Sequence, residues 1–188
     1  MFYTLSMGLV FGGFLAYISA SQTIFQDNYD TGELFPLYFA FLAFSIGFAS
    51  FINGTLVMRL GMRKLCTWAI FGWVGFSILL TCLCLLYDGI PPLNYFISVL
   101  FAAFFSIGIL FGNLNSMAMQ PLGDTAGLGA AIIGSLSSVV SVPTAVFVGS
   151  FIHYTVTPIA VGFVCFGSLS LAFFWFAERP RVSNHILD

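Results

Sequence analysis

Long apolar runs alternate with short polar breaks along this chain, and proline marks most of the breaks. Six stretches, about 2–24, 36–58, 65–87, 93–118, 127–152 and 158–177, are apolar almost throughout. Crossing the roughly 30 Å of hydrocarbon in a bilayer takes about 20 such residues, so each run predicts a membrane-spanning helix. Pro36, Pro91, Pro92, Pro121, Pro158 and Pro180 fall at the ends of runs, where a missing N–H matters least. Pro143 lies inside one and predicts a kink in the fifth helix. The expected fold class is an all-α integral membrane bundle of six helices, residues 1–178, with a short tail at 179–188.

Composition agrees with lipid as the main solvent. Hydrophobic residues make up 60% of the chain and charged residues 6%, and the mean hydropathy is +1.04. A soluble domain carries roughly 25% charged residues, far more than this chain has to cover a wet surface. A net charge of −2 and two histidines give no footing for nucleic acid as a partner. Cys66, Cys82, Cys84 and Cys165 form no CxxC pair and have no His or carboxylate close by in sequence, so no metal site or other cofactor is expected. The first run is too long for a secretory signal and has no basic residue before it. The Asn53–Thr55 sequon falls at a helix end on the basic side, where glycosylation has no access.

The few charges are unevenly placed. Arg59, Arg63 and Lys64 lie between the second and third helices, and Arg179 and Arg181 follow the sixth. With both termini on one side, all five basic residues share that side, while Asp27, Asp30, Glu33 and Asp88 share the other. Short basic loops stay in the cytoplasm, so both termini are expected there.

Close approach through small residues is what brings helices together in lipid. Gly8, Gly12, Ala16 and Ala20 form such a stripe in the first helix. Ala43, Gly47, Ser50 and Gly54 form one in the second, and Gly127, Ala131, Gly134, Ser138 and Ser141 one in the fifth. Helices three and six are bulkier and read as lipid-facing supports. Two polar clusters interrupt the apolar pattern: Tyr17 to Gln22 late in the first helix, and Gly112 to Gln120 late in the fourth. Helices three apart carrying polar groups at matching places suggest two inverted three-helix repeats flanking a transport path. Tyr17, Ser21, Gln22, Asn113 and Asn115 are the candidates to line it; interhelical hydrogen bonding is the alternative for the two asparagines. Asp124 reads as the N-cap of the fifth helix and His153 as an interfacial residue. No Asp, Glu, Lys or Arg falls in the middle of a span, so a proton carrier, if there is one, lies elsewhere. An intramembrane enzyme built on Ser135, Ser137 or Ser138 with His153 is disfavoured, because 18 residues of helix place Ser135 about 27 Å from the histidine.

The loop between the second and third helices resembles the signature loop of the major facilitator superfamily, roughly G-x-L-x-D-R-x-G-R-R/K. Gly54, Leu56, Arg59, Gly61, Arg63 and Lys64 fit in register, and Met58 stands where the pattern has Asp. The degenerate copy in the second half of these transporters often lacks that acid. "SASQTIFQDNY", "FPLYFAFLAFSIGFASFINGTLVMRLGMRKL" and "FGNLNSMAMQPLGDTAGLGAAIIGSLSSV" resemble helices seven, eight and ten to eleven of bacterial drug-efflux members of the bicyclomycin-resistance type. The resemblance implies a C-terminal six-helix half, truncated or split from its first half, in a bacterial inner membrane. It implies export of small molecules by alternating access between two halves. The basic loop residues would then act as a cytoplasmic latch, and no enzyme activity would be involved. Partners implied are the bilayer, a small-molecule substrate and an N-terminal six-helix half, on a separate chain or missing; a homodimer of this chain is the alternative.

Overall fold

The computed structural model describes residues 1–152 and 154–178, with backbone alone at 123–126. His153, Pro180, Arg179, Arg181 and the expected tail lie outside the described residues, as does the Asp124 side chain. The chain folds into six long helices: α1 Phe2–Gln22, α2 Phe35–Leu60, α3 Met62–Leu86, α4 Leu93–Met119, α5 Ala126–Gly149 and α6 Thr157–Glu178. All six are long and apolar enough to cross a membrane, and no strand occurs among the described residues. The expected all-α membrane architecture is met.

The helices join through tight, chemically readable turns. α1 runs on through a π-helical turn, Thr23–Asn28, and a short 3₁₀ turn, Gly32–Leu34, leads into α2. Gly61 alone separates α2 from α3, at φ +79°, a left-handed conformation that glycine adopts without penalty. At the opposite end Gly89 has φ +92°. Its carbonyl accepts a hydrogen bond from the Val156 N–H at 3.0 Å, tying the α3–α4 connection to the α5–α6 connection. Tyr29 donates to the Pro91 carbonyl at 2.8 Å and lies half-buried there, and burial raises its pKa above the ordinary tyrosine value. α5 stays helical through Pro143, and the Thr144 hydroxyl donates to the carbonyls of Val140 and Ser141.

Packing repeats with a period of three helices. α1 packs on α5 as α4 packs on α2; α1 packs on α6 as α4 packs on α3; α1 also meets α4, and α3 meets α6. Exchanging each helix for the one three places along leaves this pattern unchanged. Since consecutive helices alternate in direction, α1 and α4 run oppositely, the relation expected of inverted repeats.

Bulky side chains seat against glycines at the centre. Trp73 and Tyr17 are fully enclosed with Phe104 and Phe163 between α1, α3, α4 and α6. A Cβ on Gly13 would lie 3.0 Å from the Trp73 ring, and one on Gly167 would lie 2.8 Å from Val74. Within this bundle α3 and α6 carry both a packed face and an exposed one. Only 17% of the spanning stretch of α2 and 28% of that of α5 are buried, against 33% for α3 and 44% for α6. Trp73 of α3 and Phe163 of α6 pack inward because Gly13 makes room for them, while Trp68, Phe71, Trp175 and Phe176 stand exposed, in keeping with supports that face lipid.

Candidate functional site

The site candidates occupy two regions: the open face between α2 and α5, and the end of the bundle carrying Arg59, Arg63 and Lys64, called here the basic end. Along the open face the small residues divide by what they meet. A Cβ on Gly8 would lie 2.9 Å from Val140, and one on Gly12 only 2.2 Å from the Thr144 hydroxyl, so both glycines let α1 close on α5. Gly47 on α2 and Gly127 and Gly134 on α5 have no atom within 4 Å of such a Cβ. These three, expected to make helix–helix contacts, therefore face outward from the bundle. α2 meets α4 through a neighbouring face made of Leu42, Ser45 and Ala49. There Gly108 of α4 is essential to the approach, because a Cβ on it would lie 2.6 Å from the Ile46 carbonyl oxygen.

The five expected path residues also separate. Tyr17 is 2% exposed, with its ring edge-on to Phe104 at 4.7 Å and stacked on Phe39 at 6.1 Å. Its hydroxyl has no hydrogen-bond partner. Ser21 is buried and donates to the Ile18 carbonyl at 2.8 Å. Asn113 is buried in the α2–α4 seam. Gln22 and Asn115 are the two exposed members, and Gln22 donates to Gln26 at 3.0 Å. Helical spacing explains the division: residues two apart, such as Asn113 and Asn115, cannot share a face. Gly13, Tyr17 and Ser21, four apart, all lie on the packed face of α1.

Asn113 has a partner that sequence reasoning passed over. Its amide nitrogen donates to Asn53 Oδ1 at 2.7 Å and to the Ile109 carbonyl at 3.0 Å, and Asn53 Nδ2 returns a longer bond at 3.4 Å. An amide needs both donors and acceptors satisfied when buried in lipid, and this reciprocal pair achieves that. The signal was present as a single Asn within an apolar helix, but it was read as part of a sequon. Next to it, Ser45 and Ser50 donate across the seam to the carbonyls of Phe101 and Gly108.

A groove of about 550 Å³ opens between α1 and α5 toward the end opposite the basic loop. Leu15, Ile18 and Val146 line it together with the hydroxyls of Ser19, Thr23 and Ser150. Its polar groups among the described residues are all uncharged, and Gln22 and Gln26 stand exposed beside it.

At the basic end, Gly54 is exposed on α2 and Leu56 half-buried, Gly61 makes the turn, and Arg59 and Lys64 project outward. Arg63 Nε lies 3.4 Å from Glu178 Oε1 at the end of α6, and the Tyr3 hydroxyl of α1 donates to that same oxygen. The loop is therefore tied to both α1 and α6 through one carboxylate, Glu178, which sequence reasoning did not single out. Met58, where the resembled pattern carries an acid, is 85% exposed and makes no such tie. Ser135 and Ser138 face outward, Ser138 donating to the Gly134 carbonyl at 2.9 Å, and Ser137 is buried with its hydroxyl unpartnered.

Comparison with known proteins places this architecture. The chain is 27% identical over 186 residues to the uncharacterized MFS-type transporter YdgK of Bacillus subtilis (strain 168), an alignment that takes in 98% of this chain and 45% of that protein. The chain thus spans less than half the length of the relative it matches. No family model matches it, and no solved structure matches it. The six spanning helices and this similarity identify an integral membrane protein similar to major-facilitator transporters.

Proposed function

We propose that this chain is one six-helix half of a major-facilitator-type transporter that moves small molecules across the membrane by alternating access. The observation that carries the reading is the open face. Small residues on α2 and α5 (Gly47, Gly127 and Gly134) meet nothing inside the bundle, and small residues exposed along a membrane helix suit the close approach of another helix. The relative's extra length, more than half of it beyond the aligned part, leaves room for a second bundle to supply those helices. Gln22 and Asn115, together with the hydroxyls of the α1–α5 groove, would then face the space between the halves. Neutral amides and hydroxyls suit a small amphipathic substrate, and drug-type efflux follows the resemblance of the loop and flanking segments. Arg59, Arg63 and Lys64 serve as latch and topology residues at the cytoplasmic end. Met58 leaves the acid–base part of that latch to the Arg63–Glu178–Tyr3 cluster.

Vesicles containing only this chain test the proposal. A fluorescent amphipathic dye should not move above the rate of empty vesicles, because half the cavity is absent. Robust dye transport by a monomeric preparation would overturn it. Transport by a dimer of this chain, trapped by a disulfide formed between single cysteines at Gly134, would replace the first half with a second copy.

A further inference from the structure

We propose that the outer seam between α3 and α6 is a binding site for an anionic phospholipid of the leaflet at the basic end. A groove of about 570 Å³ runs there, walled by Thr67, Phe71, Leu171, Ala172 and Trp175, and closed at its end by Glu178. Phe71 and Trp175 are 58% and 60% exposed, so the groove opens outward and is not part of the bundle core. The proposed meeting of halves through α2 and α5 leaves this seam facing lipid. Its α6 wall extends from Ser168 to Glu178, about 15 Å of helix at about 1.5 Å per residue. That is half of the roughly 30 Å hydrocarbon core, the depth reached by an acyl chain from one leaflet. Trp175 stands one turn from the helix end, near the level where tryptophan meets lipid headgroups.

The rim supplies the headgroup chemistry. Among the described residues, Arg63 is the basic side chain that reaches Glu178 at the end of the groove. Arg63 is 72% exposed and meets Glu178 through Nε, so its guanidinium can turn outward to take a phosphate in bidentate fashion. Glu178 also accepts from Tyr3 and keeps that partner when Arg63 turns to the phosphate. The lipid would therefore draw the loop arginine away from α6 and couple membrane composition to the tie at this end.

The experiment uses the whole chain with Trp68→Phe, which leaves Trp175 and the buried Trp73, in phosphatidylcholine vesicles doped with brominated lipid. Brominated phosphatidylglycerol should quench Trp175 at about five-fold lower mole fraction than brominated phosphatidylcholine, the effect of one basic residue at a membrane surface. Arg63→Gln should erase that preference while leaving the helical circular dichroism unchanged, and Glu178→Gln should preserve it. Equal quenching by the two lipids would overturn the proposal, as would a preference that survives Arg63→Gln. Abolition of the preference by millimolar glycerol phosphate would also overturn it, since recognition would then need no acyl groove.

Discussion

Replacing Gly108 by alanine tests the packing of α2 on α4 at its tightest point. The new methyl would sit 2.6 Å from the Ile46 carbonyl oxygen, 2.8 Å from the Ala49 Cβ and 3.0 Å from the Ile46 Cα. Backbone atoms supply two of these contacts, so no side-chain rotation relieves them. The helices must part locally by roughly half an ångström, and overpacking against backbone falls in the upper part of the usual range, about 2–3 kcal/mol. Parting them also stretches the Ser50–Gly108 bond, already 3.3 Å, and strains the Asn53–Asn113 pair. Against this stands the better helix propensity of alanine, about 1 kcal/mol at most. The net expectation is a loss of about 1–2 kcal/mol, or roughly five- to thirty-fold in the folded-to-unfolded ratio. Unfolding of the purified protein by sodium dodecyl sulfate in mixed micelles, followed by circular dichroism, measures it. Gly47→Ala is the internal control: nothing lies within 4 Å of its new methyl, so the bundle alone should be as stable as before or slightly more so. If Gly108→Ala proves neutral, or Gly47→Ala equally damaging, the assignment of faces on α2 is wrong.

Two further predictions concern buried polar groups. A double-mutant cycle of Asn53→Ala and Asn113→Ala in the same assay should give a coupling of about 0.6–1.7 kcal/mol, the range for hydrogen bonds between membrane helices, whereas Asn115→Ala should show no coupling with Asn53→Ala. Tyr17→Phe should leave the bundle as stable or stabilise it by up to about 1 kcal/mol, because the hydroxyl it removes is buried without a partner; a clear loss of stability would reveal a partner for it.

Much of the architecture was legible because it depends on length and charge. A run of apolar residues long enough to span lipid has few alternatives to a helix, so the six elements could be read directly from the pattern. The grouping of Arg59, Arg63 and Lys64 marked the turn at Gly61 for the same reason. Helix faces were much harder to read. In water a core-facing stripe is apolar and its opposite polar, but in lipid both faces are apolar and the usual contrast vanishes. On α2 two small-residue stripes lie side by side, one through Ser45 and Ala49 and one through Ala43 and Gly47, and nothing in the composition says which faces α4. The partner helix decides: Gly108 lies opposite Ile46 and Ala49. Long-range pairs were hidden in the same way. Tyr3 and Glu178 are 175 residues apart and Asn53 and Asn113 are 60 apart, and only the repeat of packing between α1–α3 and α4–α6 brings them together. On α1, the glycine stripe and the path candidates lie within a few residues of one another. There the spacing of four that buries Gly13 and Tyr17 leaves Gln22 outside.

Whether the α2 and α5 faces meet a second bundle in the membrane is most directly measured with spin labels. Single labels at Gly47, Gly134 and Phe71, in a background with the native cysteines replaced, report collision with lipid-dissolved oxygen in native membranes. The account predicts that Gly47 and Gly134 are shielded from oxygen while Phe71 remains fully accessible. Gly47 and Gly134 as accessible as Phe71 would mean that lipid, and not another set of helices, covers that face, and would contradict the half-transporter reading.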